Sequence, residues 1–165
     1  MNNDISHIIN KHLIIKEKQK KERGEVFTPP LLIYNMLEQL PKSVWLNKNL
    51  KWLDPSNGVG FFPILIYYRL MNSLKSTKKK KQQRSKHILE KMLFMIELDS
   101  KNCVECKKIF NQIDPNSKIN ILTADFLNSS ITSKYDIIIG NPPYQIKVGN
   151  SKSHRIWDKF VIKSV

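Results

Sequence analysis

The sequence predicts an α/β fold, a mostly parallel and partial sheet of about four strands with helices on both faces. Three observations predict it. Short apolar stretches alternate with longer stretches of helical periodicity, the pattern of βαβ units. The first short stretch runs into Asp54-Pro55-Ser56-Asn57-Gly58-Val59-Gly60, a glycine turn of the kind that joins a strand to a helix. The acidic and polar motifs that stand out all fall at carboxyl ends of expected strands, where open α/β sheets bind ligands.

Taken in chain order, residues 4–23 read as an amphipathic helix, with Asp4 as N-cap, Ile5, Ile8, Ile9 and Leu13 on one face and Gly24 as a stop. Residues 16–23 of that extension form a charge run, read as a solvated face. Gly24 to Pro30 then leads into Ile33, Met36, Leu37 and Leu40 at helical spacing, with Thr28 as the cap, Pro29 at the first helical position and Pro41 as terminator. Residues 51–53 form the first strand and 61–74 a buried helix. Residues 75–86, dense in lysine, are expected to be an exposed insertion too charged to pack. The second strand is expected over 92–97, followed by a helix capped by Ser100 and running to about residue 110. Strands at 119–123 and 135–139 complete the sheet, and Ile156, Trp157, Phe160 and Val161 mark a last amphipathic helix. The expected organisation is a helical extension at 1–23 and one domain at 24–165, with no internal repeat.

Composition narrows the class of protein. At 41% hydrophobic and 25% charged residues, the 165-residue chain is globular in type, and no apolar run approaches the length of about 18 residues that a membrane helix needs. The N-terminus lacks an apolar signal core, and two cysteines do not frame a secreted fold, so an intracellular protein without membrane attachment is expected. The net charge of +14 favours a polyanionic partner, although an AT-rich genome also yields a lysine excess. Cys103 and Cys106 have C-x-x-C spacing, but there is no second pair and no suitably placed histidine, so they are read as two small residues on a helix, with no metal.

The motifs at the strand ends carry the chemistry. Gly58 and Gly60 let the chain turn tightly and let a ligand approach the backbone at a helix terminus. The second strand ends in Glu97-Leu98-Asp99, which puts a carboxylate where ribose hydroxyls need an acceptor. The third ends in Ala124-Asp125-Phe126, one carboxylate for an exocyclic amine and one ring to cover a purine. The fourth ends in Gly140-Asn141-Pro142-Pro143-Tyr144, a proline-locked turn that presents an amide, a carbonyl and an aromatic face.

In their order and spacing these motifs resemble those of adenine-N6 DNA methyltransferases in which cofactor motifs precede the catalytic one. The resemblance runs from about residue 24 to 165 and implies a Rossmann-like class I methyltransferase sheet that binds S-adenosyl-L-methionine. It implies that Val26-Phe27-Thr28-Pro29 helps hold the methionine part of that cofactor. Asp54, Pro55, Gly58 and Gly60 would form its glycine loop, Glu97 and Leu98 its ribose site, and Asp125 and Phe126 its adenine pocket. Asn141, Pro142, Pro143 and Tyr144 match the catalytic tetrapeptide, with Asn141 also near the cofactor. The implied substrate is an adenine flipped out of double-stranded DNA, stacked on Tyr144, its amine donating to the Asn141 side-chain oxygen and the Pro142 carbonyl. Asn57, Val59 and Met95 depart from the small residues common at those positions. The chain ends about twenty residues after Tyr144, which implies a truncated domain with an open sheet edge at the fourth strand, completed by a second chain bearing the remaining strands and a target-recognition domain. Three other readings stand beside this one: an amino-methyltransferase acting on RNA guanine or protein glutamine, a fragment that binds cofactor or DNA without turnover, and a basic nucleic-acid binder.

Overall fold

The computed structural model describes residues 28–78, 80–131, 133–148 and 152–165. The helix expected over residues 4–23, together with Val26 and Phe27, lies outside the described residues. The chain divides into two compact units after Leu40.

In the first unit, helix α1 (Pro30–Glu38) begins one residue later than expected. Pro29, with ψ 139°, takes the cap position and Pro30 the first helical position. The ring of Pro30 excludes the helical conformation at Pro29, so the helix starts only beyond it. Ile33 and Leu37 are buried along one side of this helix.

The second unit opens with a short helix that the sequence reading did not anticipate, α2 (Lys42–Leu46), for which Pro41 is the cap as well as the end of what precedes it. Trp45 of this helix packs on Trp52 at 4.7 Å, and the Arg69 guanidinium lies 4.0 Å from the Trp45 ring centre. Strand β1 (Trp52–Asp54) is buried throughout and feeds helix α3 (Phe61–Ser73) through the glycine turn. Helix α3 is apolar nearly all round because it lies in the core.

Residues 75–86 behave differently from expectation. Lys75, Ser76 and Thr77 are exposed, but helix α4 (Lys81–His87) follows at once, and Arg84 and Ser85 are buried. A polar network makes the burial of Ser85 tolerable: the Tyr67 and Ser85 hydroxyls lie 2.8 Å apart, Ser85 donates to Asp114, and Ser117 donates to the same carboxylate at 2.9 Å. A π-helical turn (Ile88–Met92) with Ile88, Leu89 and Met92 buried then leads into strand β2 (Leu93–Glu97). Helix α5 (Ser100–Ile113) is capped by Asp99, whose side chain accepts from the Lys101 N–H, so Ser100 is its first residue and not its cap. The carboxylate one residue earlier reaches the free N–H groups and displaces the hydroxyl from that role.

Strands β3 (Asn120–Thr123) and β4 (Ile137–Ile138) complete a four-stranded parallel sheet in the order β3-β2-β1-β4. Trp52 pairs with Leu93 on one side and with Ile137 on the other. Alternation along the strands separates two faces. Met95 meets Cys106 of α5 on one, while Leu53 and Ile96 join Phe126, Ile156 and Phe160 on the other. Helices therefore cover both faces, as expected.

After β4 a hairpin appears that the sequence reading did not assign, β5 (Gln145–Val148) paired antiparallel with β6 (Lys152–Arg155). Helix α6 (Trp157–Ser164) ends the described chain. Among the described residues, no helix is long and apolar enough to cross a membrane.

Candidate active site

The strand order reverses direction at β1, with β2 and β3 to one side and β4 to the other, and this reversal leaves a crevice at the carboxyl ends of β1 and β4. Asp54 and Gly140 meet there. A Cβ on Gly140 would overlap Asp54 Oδ1 and lie 3.0 Å from its Cγ, so the close approach of the two strand ends requires glycine. Asp54 is buried and accepts from the Ser56 N–H at 3.1 Å. Desolvation pushes its carboxyl up to about 7; the Ser56 bond opposes this and the nearby charge of Glu97 adds to it.

The glycine turn is held by backbone and side-chain hydrogen bonds. Asn57 N–H donates to Ile96 O at 3.0 Å and Gly60 N–H to Asn57 O at 2.8 Å. Gly60, at φ 96°, caps α3, and a Cβ on it would lie 2.7 Å from Cys106 Sγ. Glu97 Oε2 accepts from the Gly58 N–H at 2.7 Å and Oε1 from the Asp99 N–H at 2.9 Å, so this carboxylate ties the turn to the end of β2. Each oxygen keeps a second acceptor site for a ligand. Asp125 is held in the same way, by the Leu127 N–H at 2.9 Å and the Asn128 side-chain amide at 2.6 Å.

Next to these groups lies a cavity of about 650 Å³, within the range of small-molecule sites. Of the residues singled out from the sequence, Pro55, Glu97, Leu98, Asp125, Phe126 and Pro143 line it. Asp54, Gly58 and Gly60 are not part of the lining and instead shape the turn. Phe126 is a buried wall: its ring stacks on Phe160 at 5.6 Å and belongs to the core, so it is not an open cover for a base. Asn141, Pro142 and Tyr144 follow β4 outside the lining. Tyr144 is 67% exposed and its hydroxyl donates to Asn141 Oδ1 at 3.2 Å. Thr28 and Pro29 belong to the other unit and Phe27 lies outside the described residues. Cys103 and Cys106 are buried packing residues, Cys106 against Gly60 and Met95.

Sequence reasoning missed one wall. Ile156, the cap of α6, and Lys159, Phe160 and Lys163 within it line the cavity. Their helical spacing was legible, but which face of the sheet the helix would cover was not. Ser56 was missed as well. Its hydroxyl and the Asn57 side-chain oxygen are buried without a hydrogen-bond partner, the only two such atoms in the glycine turn. An orphaned hydroxyl beside two carboxylates with unused acceptor sites and an apolar wall is a donor set that fits an adenosine-bearing cofactor, which presents ribose hydroxyls, an exocyclic amine and a purine face.

The fold defined by this sheet order and crevice is the class I methyltransferase fold. Two solved structures share it at a TM-score of 0.60: the modification subunit of a provisionally assigned type I restriction enzyme from Vibrio vulnificus, 18% identical over 81% of this chain and 27% of that one, and a provisionally assigned class I S-adenosylmethionine-dependent methyltransferase from Listeria monocytogenes, 14% identical over 99% of this chain and 50% of that one. Residues 38–164 match the Eco57I restriction-modification methylase family, and the chain belongs to it. It is also similar to a protein of Mycoplasma pneumoniae described as an uncharacterized adenine-specific methylase, 27% identical over 86% of this chain. The chain spans about half the length of that curated relative, 52%.

Proposed function

We propose that the protein is the cofactor-binding and catalytic part of an adenine-specific DNA methyltransferase, which transfers a methyl group from S-adenosyl-L-methionine to the N6 amine of an adenine in double-stranded DNA. The observation that carries this reading is the position of Asn141-Pro142-Pro143-Tyr144 at the carboxyl end of β4, beside a cavity walled by the ends of β1, β2 and β3, in a chain of this family. When bound, the cofactor supplies an electrophilic methyl group on a cationic sulfur.

The chain's own residues do the rest. Glu97 and Asp125 accept from hydroxyl and amine donors, and Phe126, Ile156 and Phe160 keep water from the apolar side of the cavity. Asn141 Oδ1 and the Pro142 carbonyl accept the two amine protons of the target base, which directs the nitrogen lone pair away from both. Proline suits this position because it fixes the turn and still offers a carbonyl. Tyr144, exposed beside them, offers its face to the flipped base, and its hydroxyl leaves Asn141 as the base enters. Extruding the base costs a few kcal/mol, and holding the reactants in line contributes up to ~7–11 kcal/mol in well-oriented cases. Residues 24–165 form the methyltransferase domain in this reading. Further strands against the β4 edge and a target-recognition domain, in this polypeptide or a second one, supply DNA specificity.

Calorimetric titration with S-adenosylmethionine tests the reading, alongside an Asp54→Ala, Glu97→Ala double variant. Saturable binding that the variant loses is expected, followed by methylated adenine in DNA when the remaining strands are supplied. A folded wild-type chain that binds no cofactor removes the reading.

A further inference from the structure

The segment from Ala124 to Asp136 has no strand or helix among its described residues, yet it carries Asp125 and Phe126 and forms one wall of the cavity. Local hydrogen bonds hold part of it. Asp125 takes the Leu127 N–H, and the Ser129 hydroxyl donates to Phe126 O at 2.9 Å. Two of its carbonyls, those of Leu127 and Ser129, converge instead on a single ammonium from another element: Lys163 Nζ donates to Leu127 O at 3.0 Å and to Ser129 O at 2.6 Å. The same ammonium lies 5.3 Å from the centre of the Phe126 ring, whose partner on α6 is Phe160, one helical turn before Lys163.

Carbonyls outside a ladder need a donor, and a cation that serves two of them holds both at a fixed separation. From this geometry we infer that Lys163 is a positioning residue. By clasping the carbonyls of Leu127 and Ser129 it sets the conformation of the 125–129 loop, and through that loop the placement of the Asp125 carboxylate and the Phe126 wall in the cavity. Lys163 lines the cavity but needs no contact with the ligand. The effect on ligand binding rests on the reading that this cavity takes S-adenosylmethionine; the effect on the loop does not.

The experiment compares the full chain with Lys163→Met, which keeps the aliphatic stem and removes the donors, and Lys163→Arg, which keeps them. Amide hydrogen exchange over residues 125–131 and calorimetric affinity for S-adenosylhomocysteine are measured on each. In Lys163→Met, exchange in that loop is expected to quicken about tenfold while strands β1 and β2 keep their protection, and Kd to rise about tenfold. Lys163→Arg is expected to restore both to within about threefold. If Lys163→Met does not fold, Lys163→Leu, which also lacks a donor, is read by the same criteria. Unchanged exchange and affinity in Lys163→Met overturn the inference, and so does an exchange increase spread evenly over the chain, which marks a general brace. If the wild-type chain binds no S-adenosylhomocysteine, the cofactor reading fails, and the exchange data alone decide the role of Lys163.

Discussion

Asp54 is a carboxyl group that the fold keeps out of water at the point where β1 meets Gly140. Its folded-state value of about 7 stands above the 3.8 of an exposed aspartate. Between those values the folded protein holds a proton that the unfolded chain releases, so stability at this site is greatest below about pH 4 and falls as pH rises to 7. The shift corresponds to a cost of roughly 4 kcal/mol once Asp54 is ionised. Substituting Asp54→Asn is expected to remove this slope: urea midpoints of the variant stay level from pH 5 to 8 where those of the wild type decline. Parallel curves would mean that Asp54 is hydrated and ionised in the folded protein. The sequence marked Asp54 as a cofactor residue because it opens the glycine turn. That the side chain would be enclosed against Gly140 was not legible, because the contact joins residues far apart in the chain.

At the scale of elements, the sequence disclosed most where period and turn chemistry agree. Helix α3 and strand β2 lie within a residue or so of expectation, since continuous apolar character and the glycine turn bound them. Helix α2 and the β5–β6 hairpin escaped it, being short and mixed in polarity. Helix α4 escaped it for a different reason. Its lysines read as solvated, and they are, but Arg84 and Ser85 on its inner side are buried through partners that no local pattern announces. Desolvation raises the Asp114 carboxyl, and the hydrogen bonds from Ser85, Ser117 and Asn116 outweigh it and hold the group below its usual range. Replacing Asp114 by Ala removes the shared acceptor of the Ser85 and Ser117 hydroxyls, leaving Ser85 only its Tyr67 contact, and is expected to cost about 1–3 kcal/mol. The loss should be local: limited proteolysis is expected to cut between residues 75 and 87 before the rest of the chain. Intact α4 in the variant would show that Asp114 is not what holds it.

For the second unit as a whole, all four strands point the same way, so the sheet has a reactive end and a far end. Helix α3, 13 residues and about 20 Å long, carries the chain from the cavity back to the far end. Residues 75–78 and 80–86 follow it there, and His87 bonds the Lys48 carbonyl ahead of β1. The densest basic stretch therefore lies away from the residues proposed to receive a base. Changing Lys78, Lys79, Lys80 and Lys81 to Gln together is expected to leave DNA affinity and its salt slope unaltered, although the overall charge falls from +14. A slope smaller by several units in filter-binding titrations would assign that end of the molecule to DNA.

The cysteines give the far wall of the glycine turn a use in experiment. Cys106 fills the space that only a glycine at position 60 leaves open, and the Cys103 thiol faces the Glu97 carbonyl at 3.7 Å. Neither sulfur is within reach of a reagent in solution while α5 stays seated. Labelling by a colorimetric disulfide therefore has to wait for that helix to part from the turn, and its rate becomes a clock for such openings. The chain carries this reporter without engineering, and any molecule that settles against Glu97 should slow it.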